Sequence, residues 1–288
     1  MMTRRQMLQG TLAAGTLAAF PWLSSCSQPP RLRIGACDWS LGKGGDPAAF
    51  DVAKTIGLAG VMVSMGDDTN HLHLRRADMQ ASYREAAART GVQISSLALG
   101  ILNDIPYKSD LRTEQWVSDS IDVAAALKAP VILLAFFGNG DLRDDDAGIR
   151  EVIRRLRIVA PKAEKSGVTL GIESYLSAPQ LMDIMQQVGS PAVKVYYDFR
   201  NSADAGYDVI QEIRQLGKDN ICELHMKENG QLLGQGTLDW PAIARTLQEI
   251  GYIGDGWMQL EWGHPKDADI VASYRQNVQY LNNIFQYS

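Results

Sequence analysis

Four side chains of the kinds that bind metals or move protons recur at regular intervals in this 288-residue chain. They are Glu173 in Gly171-Ile172-Glu173-Ser174, Asp198 in Tyr196-Tyr197-Asp198-Phe199, His225 in Glu223-Leu224-His225-Met226-Lys227, and Glu261 in Gln259-Leu260-Glu261-Trp262. The separations are 25, 27 and 36 residues, each about one β-α unit, and every member closes an apolar, strand-like run. Strand alternation turns the apolar neighbours Ile172, Leu224 and Leu260 to one face and the four polar residues to the other. Three carboxylates gathered on one face repel unless a cation holds them, because unpaired buried charge is costly. One divalent ion answers that need. Three oxygen donors and one imidazole suit Mn²⁺ first, and also accommodate Mg²⁺, Co²⁺ or Zn²⁺. Such a centre favours chemistry next to a carbonyl: Lewis-acid stabilisation of an enediolate, with Glu173 and Glu261 serving as base and acid on the two faces of the reacting carbon. Opposite faces give epimerisation, and transfer between carbons gives isomerisation. Loss of a β-substituent from the same enolate would instead make a lyase or dehydratase, or a hydrolase-like enzyme, acting on a keto-sugar or keto-glycoside.

The elements that must hold these residues alternate eight times between strand-like and helix-period segments. Strands are expected at 32–39, 60–65, 93–99, 131–137, 169–174, 193–199, 221–227 and 257–262. Helices are expected at 46–57, 79–90, 113–128, 144–166, 178–188, 206–216, 240–250 and 267–286. Gly91 and Gly167 stop helices, while Asp239-Trp240-Pro241 opens one with a cap and a first-turn proline. Eight β-α units without an interdomain linker predict a single α/β domain, a (β/α)8 TIM barrel, over residues 32–288. Barrel enzymes build their sites at the C-terminal ends of the strands, where the four residues fall. The composition, 45% hydrophobic and 21% charged, is that of a globular protein; with a formal charge of −5 and no basic run, nucleic acid is excluded as a partner.

Residues 1–25 read as an export signal. Arg4-Arg5 resembles a twin-arginine start, the apolar stretch from Thr11 to Leu23 is shorter than the ~20 residues a spanning helix needs, and Leu23-Ser24-Ser25-Cys26 resembles a lipobox. Cys26 would then be lipidated, residues 26–31 would form a tether, and the protein would sit in the bacterial cell envelope, held at the periplasmic membrane surface only by its lipid. Cys37, near the end of the first strand, and Cys222, near the start of the seventh, fall at opposite ends of a parallel barrel, too far apart to bridge.

With these motifs in place, the chain resembles the xylose isomerase-like TIM barrels, the sugar phosphate isomerases and epimerases. Ile172-Glu173, Tyr197-Asp198, His225-Met226-Lys227-Glu228 and Leu260-Glu261 match that family's metal-binding positions, and Gly234-Gln235-Gly236-Thr237-Leu238-Asp239-Trp240 its loop into the seventh helix. The resemblance implies one divalent metal on Glu173, Asp198, His225 and Glu261, a small carbohydrate substrate and isomerase or epimerase activity; a homo-oligomer is compatible with it. The related ketose 3-epimerases place a His three residues after the metal Asp and an Arg six after the metal His; this chain has Asn201 and Gln231 there. Endonuclease IV shares the barrel but needs a His-rich cluster, whereas this chain holds four histidines in all. Further substrate contacts are expected from Trp39, Asn201, Lys227, Glu228 and His264, all at or just beyond strand ends. An envelope location favours free or glycosidic sugars over sugar phosphates. A carbohydrate-binding lipoprotein without catalysis is the alternative of another class, and the paired glutamates speak for the enzyme.

Overall fold

In the computed structural model, which describes residues 32–254 and 256–286, eight parallel strands follow one another round a closed ring. They are β1 (Arg33–Cys37), β2 (Gly60–Ser64), β3 (Gln93–Leu99), β4 (Val131–Phe136), β5 (Thr169–Ser174), β6 (Val193–Asp198), β7 (Ile221–Met226) and β8 (Trp257–Leu260). Ala36 opposite Leu260 closes the ring between β1 and β8. The sheet therefore has no free edge, and the expected single (β/α)8 barrel is what the chain forms. The predicted export signal, Cys26 and tether lie outside the described residues. Among the described residues, no helix is long and apolar enough to cross a membrane.

The return helices are α1 (Ala49–Ile56), α2 (Ala77–Thr90), α3 (Arg112–Leu127), α4 (Asp146–Ser166), α5 (Ala178–Val188), α6 (Phe199–Asp204), α7 (Val209–Asn220), α8 (Trp240–Glu249) and α9 (Ile270–Gln286). Gly91 and Gly167 end α2 and α4 at φ of 72° and 65°, and Asp239 caps α8 through the Ala242 amide at 3.0 Å, as expected. Two segments differ. The expected helix 206–216 is preceded by α6, a short turn started by the Asp198 side chain, which accepts from the Asn201 amide at 2.8 Å. The last helix begins at Ile270, because Ala268 closes a turn onto the Pro265 carbonyl and Asp269, placed ahead of α9, accepts from the Ala272 amide at 2.9 Å.

Strand alternation divides the interior into two layers. Ile172, Tyr197, Leu224 and Leu260 point outward into the main core beneath the helices. Inside the ring, Cys37, Met62, Ala98, Leu133, Ala135 and Tyr196 pack together. One step below the mouth lies a polar layer: the buried Glu223 carboxylate accepts from Ser96 Oγ at 2.9 Å and from the Gln259 amide, which also donates to Ser95 Oγ at 2.7 Å. Burial pushes the Glu223 carboxyl up to about 7.

Candidate functional site

Glu173 and His225 are each the fifth residue of their six-residue strands, Asp198 ends β6, and Glu261 follows the last residue of β8. Asp198 stands level with His225 in the β6–β7 register, and Glu173 and Glu261 reach the same cluster from the ends of β5 and β8. One ligand atom from each lies within 4.8 Å of all the others, and all four residues are buried. His225 Nδ1 is 2.8 Å from Glu173 Oε1, 3.7 Å from Glu261 Oε2 and 3.8 Å from Asp198 Oδ2. Ligands on opposite sides of a hard divalent ion are ~4–5 Å apart, at bond lengths of about 2.0–2.6 Å. Asp198 Oδ2 takes no hydrogen bond of proper geometry, although the Lys227 ammonium lies 3.1 Å away. A buried, under-satisfied carboxylate oxygen within a three-carboxylate, one-imidazole set fits a divalent cation.

The surroundings polarise the two glutamates differently. Glu261 accepts from Trp39 Nε1 and from Lys227 Nζ, both at 3.0 Å. Burial alone would raise its carboxyl, but His225 and Lys227 hold it below the ordinary glutamate range. Burial raises Glu173 above that range against the opposing pull of His225, and Asn201 Nδ2 reaches its Oε1 only at 3.5 Å. For Lys227 and His225, burial is outweighed by the neighbouring carboxylates, which raise both above their ordinary values. On the other side of the imidazole, Nε2 lies 3.3 Å from Cys37 Sγ, a thiol that burial pushes up to about 12 and so keeps protonated. Tyr196 closes the ring from below, edge-on, with centroids 4.6 Å apart.

Above this cluster opens a cavity of about 560 Å³. Trp39, Asn201 and Lys227 line it, as the sequence led one to expect. Two other expected residues stand outside its lining. Glu228 turns away beneath the 234–240 loop, where its Oε1 accepts from Trp240 Nε1 at 2.7 Å, and a β-carbon on Gly236 would collide with its carboxylate. The Trp240 bond holds it there, while Lys227 takes the mouth-facing direction. His264 also stands outside the lining; it packs against Tyr274 at 6.0 Å between centroids, with Nδ1 2.9 Å from the Pro265 carbonyl. The cavity adds residues beyond those expected above: Phe137, Tyr175, Trp262, Asn103 and Asp104, with Asp67 and Asn70 from the loop after β2. Tyr175 and Trp262 stand within two residues of Glu173 and Glu261, so an aromatic just beyond each strand-end ligand was the available signal. Trp262 adopts φ 47°, a costly left-handed backbone for a bulky residue, and is held there by the Gly230 amide donating to its carbonyl at 3.1 Å. The deeper wall is tied by Asp38, whose carboxylate accepts from Ser64 N and Oγ at 2.8 and 2.6 Å and from Gly45 N at 3.1 Å.

The model of the xylose isomerase-like TIM barrel family matches residues 50–284. A 2-epi-5-epi-valiolone 7-phosphate 2-epimerase of Actinoplanes sp. is 27% identical over 228 residues, covering 76% of this chain and 82% of the relative. A D-psicose 3-epimerase of Enterocloster bolteae is 29% identical across 42% of each chain, and a 3-oxo-isoapionate decarboxylase of Pectobacterium atrosepticum is 26% identical over 46% of this chain and 55% of its own. Among solved structures, a D-psicose 3-epimerase of Clostridium cellulolyticum (TM-score 0.75, 18% identity, 88% of this chain and 99% of that one) and a 3-keto-D-glucoside 4-epimerase of E. coli (TM-score 0.71, 16% identity, 88% and 100%) have the same fold.

Proposed function

Because the chain belongs to the xylose isomerase-like TIM barrel family, we propose that it is a divalent-metal-dependent epimerase or isomerase of a carbohydrate, with Glu173 and Glu261 as its acid/base pair. The observation that carries this reading is the convergence of three buried carboxylates and His225 within 4.8 Å at the mouth, below an open cavity. The epimerase names of one relative aligned over 76% of this chain and of a second aligned over 42% support it. When bound, a divalent cation, Mn²⁺ first among the suitable ones, supplies Lewis-acid stabilisation of negative charge on a carbonyl oxygen. Glu173 and Glu261 come from strands three apart in the ring and approach a substrate carbon from different sides. Lys227 and Trp39 orient the Glu261 carboxylate, and Asn201 stands beside Glu173. One glutamate takes the proton next to the carbonyl and the other returns one to the opposite face.

With a substrate in D₂O, deuterium is expected at the carbon next to the carbonyl. Glu173→Gln and Glu261→Gln should each slow exchange by ~10²-fold or more. Full exchange in both variants would remove the acid/base assignment. The decarboxylase name of the Pectobacterium relative favours a second reading, in which the same enolate forms or collapses by breaking a carbon bond. A smaller product, rather than a diastereomer of unchanged mass, would select that lyase.

The N-terminal residues support export and lipid anchoring in the cell envelope, with Cys26 as the mature N-terminus. Cys26→Ala should move the protein from membranes to the soluble fraction, because the acyl chains supply the anchor. Unchanged membrane association would refute this.

A further inference from the structure

The mouth is lined mainly by acidic groups among its charged residues. Of the residues lining the cavity, Asp67, Asp104, Glu173 and Glu261 are acidic, and the one basic residue, Lys227, has its ammonium spent on Asp198 and Glu261 at 3.1 and 3.0 Å. Phosphate binding in α/β proteins draws on free amides at helix N-termini. At four helix starts such an amide already faces an aspartate. Asp145 accepts from Gly148 N at 2.8 Å, Asp208 from Ile210 N at 3.0 Å, Asp239 from Ala242 N at 3.0 Å and Asp269 from Ala272 N at 2.9 Å, at the starts of α4, α7, α8 and α9. Arg143 and Arg112 are likewise paired, with Asp141 at 2.6 Å and Asp110 at 2.9 Å. A phosphate group would meet carboxylates where it needs donors, whereas a polyol offers those carboxylates its hydroxyl protons.

The cavity is also large and two-walled. A hexose has twelve heavy atoms, and even at water's liquid share of ~30 Å³ each they fill no more than ~360 Å³, against about 560 Å³ here. Trp39 and Trp262 follow β1 and β8, while Phe137 and Tyr175 follow β4 and β5, on the far side of the closed ring. Phe137 and Tyr175 pack edge to face, 4.8 Å between centroids, and give a second aromatic surface away from the Trp39–Glu261 hydrogen bond.

We propose that the pocket takes an uncharged glycoside, with a keto-sugar unit at the four-residue cluster and a second neutral group against Phe137 and Tyr175, and that it rejects phosphorylated sugars. This rests on the carbohydrate reading above and specifies its substrate. Three probes differing only at one oxygen test it: D-fructose, D-fructose 6-phosphate and isomaltulose, which carries a glucosyl group there. In calorimetric titrations of the Mn²⁺-loaded protein, isomaltulose should bind more tightly than fructose, and the phosphate at least ~10-fold more weakly than fructose. Tyr175→Ala should erase the advantage of isomaltulose while leaving fructose binding in place. Asp67→Lys with Asp104→Lys should narrow the gap to the phosphate. Tighter binding of the phosphate, equal binding of the three, or no binding of either neutral sugar overturns the proposal. Deuterium uptake by a phosphorylated sugar alone would keep the epimerase and sink this inference. Selective binding of isomaltulose without deuterium uptake would keep the inference and sink the epimerase.

Discussion

At the scale of single residues, the imidazole of His225 shows how the site is set. Nδ1 faces the three carboxylates and Nε2 lies 3.3 Å from Cys37 Sγ, so ligation of a metal through Nδ1 would leave the Nε2–H to the sulfur on β1, which would hold the ring. Partners of this kind are worth about 10–100-fold in metal affinity. Cys37→Val should therefore weaken Mn²⁺ binding by roughly that factor, whereas Cys37→Ser, which keeps an acceptor, should lose less; titration calorimetry on both variants decides. Glu228 teaches the opposite lesson. Its carboxylate is the acceptor for the buried Trp240 indole and supports the 234–240 loop, so Glu228→Ala should cost ~1–3 kcal/mol of stability through an unpaired donor. Denaturant melts should show that loss with isomerisation chemistry retained in the folded fraction.

At the scale of elements, the long α4 is fastened to the loop ahead of α3. Buried Arg155 donates to the Asp110 carbonyl at 2.7 Å and to Glu151 at 2.6 Å, and its guanidinium lies 5.7 Å from the Tyr107 ring centroid. Arg155→Ala leaves the Asp110 carbonyl without this donor, while Glu151 keeps Arg154, and should destabilise by ~1–3 kcal/mol. Hydrogen bonds from Arg154 first and Arg155 second lower the Glu151 carboxyl from 4.5 to about 2. A lowered folded value means the folded state binds the proton less readily, so the stabilisation is full above pH 4.5 and disappears as pH falls towards 2. Glu151→Gln should accordingly flatten the acid side of the melting profile. A profile as steep as the parent's would refute the assignment.

At the scale of the whole molecule, four strands contribute to one charge cluster, and a cation that joins them ties β5, β6, β7 and β8 together. Mn²⁺ at ~100 times its Kd should raise folding stability by about 2.7 kcal/mol, since only the folded chain presents the assembled ligands. Chelator should reverse the rise in Tm, and His225→Ala should abolish the response. A melting temperature indifferent to Mn²⁺ would refute the four-residue centre.

The eightfold alternation was legible because a strand buried on both faces and a helix with one apolar stripe leave different periods in the residues. The spacing of Glu173, Asp198, His225 and Glu261 was legible for the same reason, as each closes a strand and strand ends share one rim. The direction of side chains beyond those ends was not legible. Once the chain leaves the ladder, alternation no longer governs it, and local bonds do. Trp240 captures Glu228, the Pro265 carbonyl and Tyr274 hold His264, and the Gly230 amide fixes the strained Trp262 that helps line the cavity. The facing aromatic walls needed closure of the ring, which sets residues after β1 and β8 across from residues after β4 and β5. Sequence periodicity thus determined the barrel and the placing of its four strand-end polar residues, because both repeat with the backbone. Tertiary structure alone decided which neighbours face the substrate, because that depends on contacts between residues far apart in the chain.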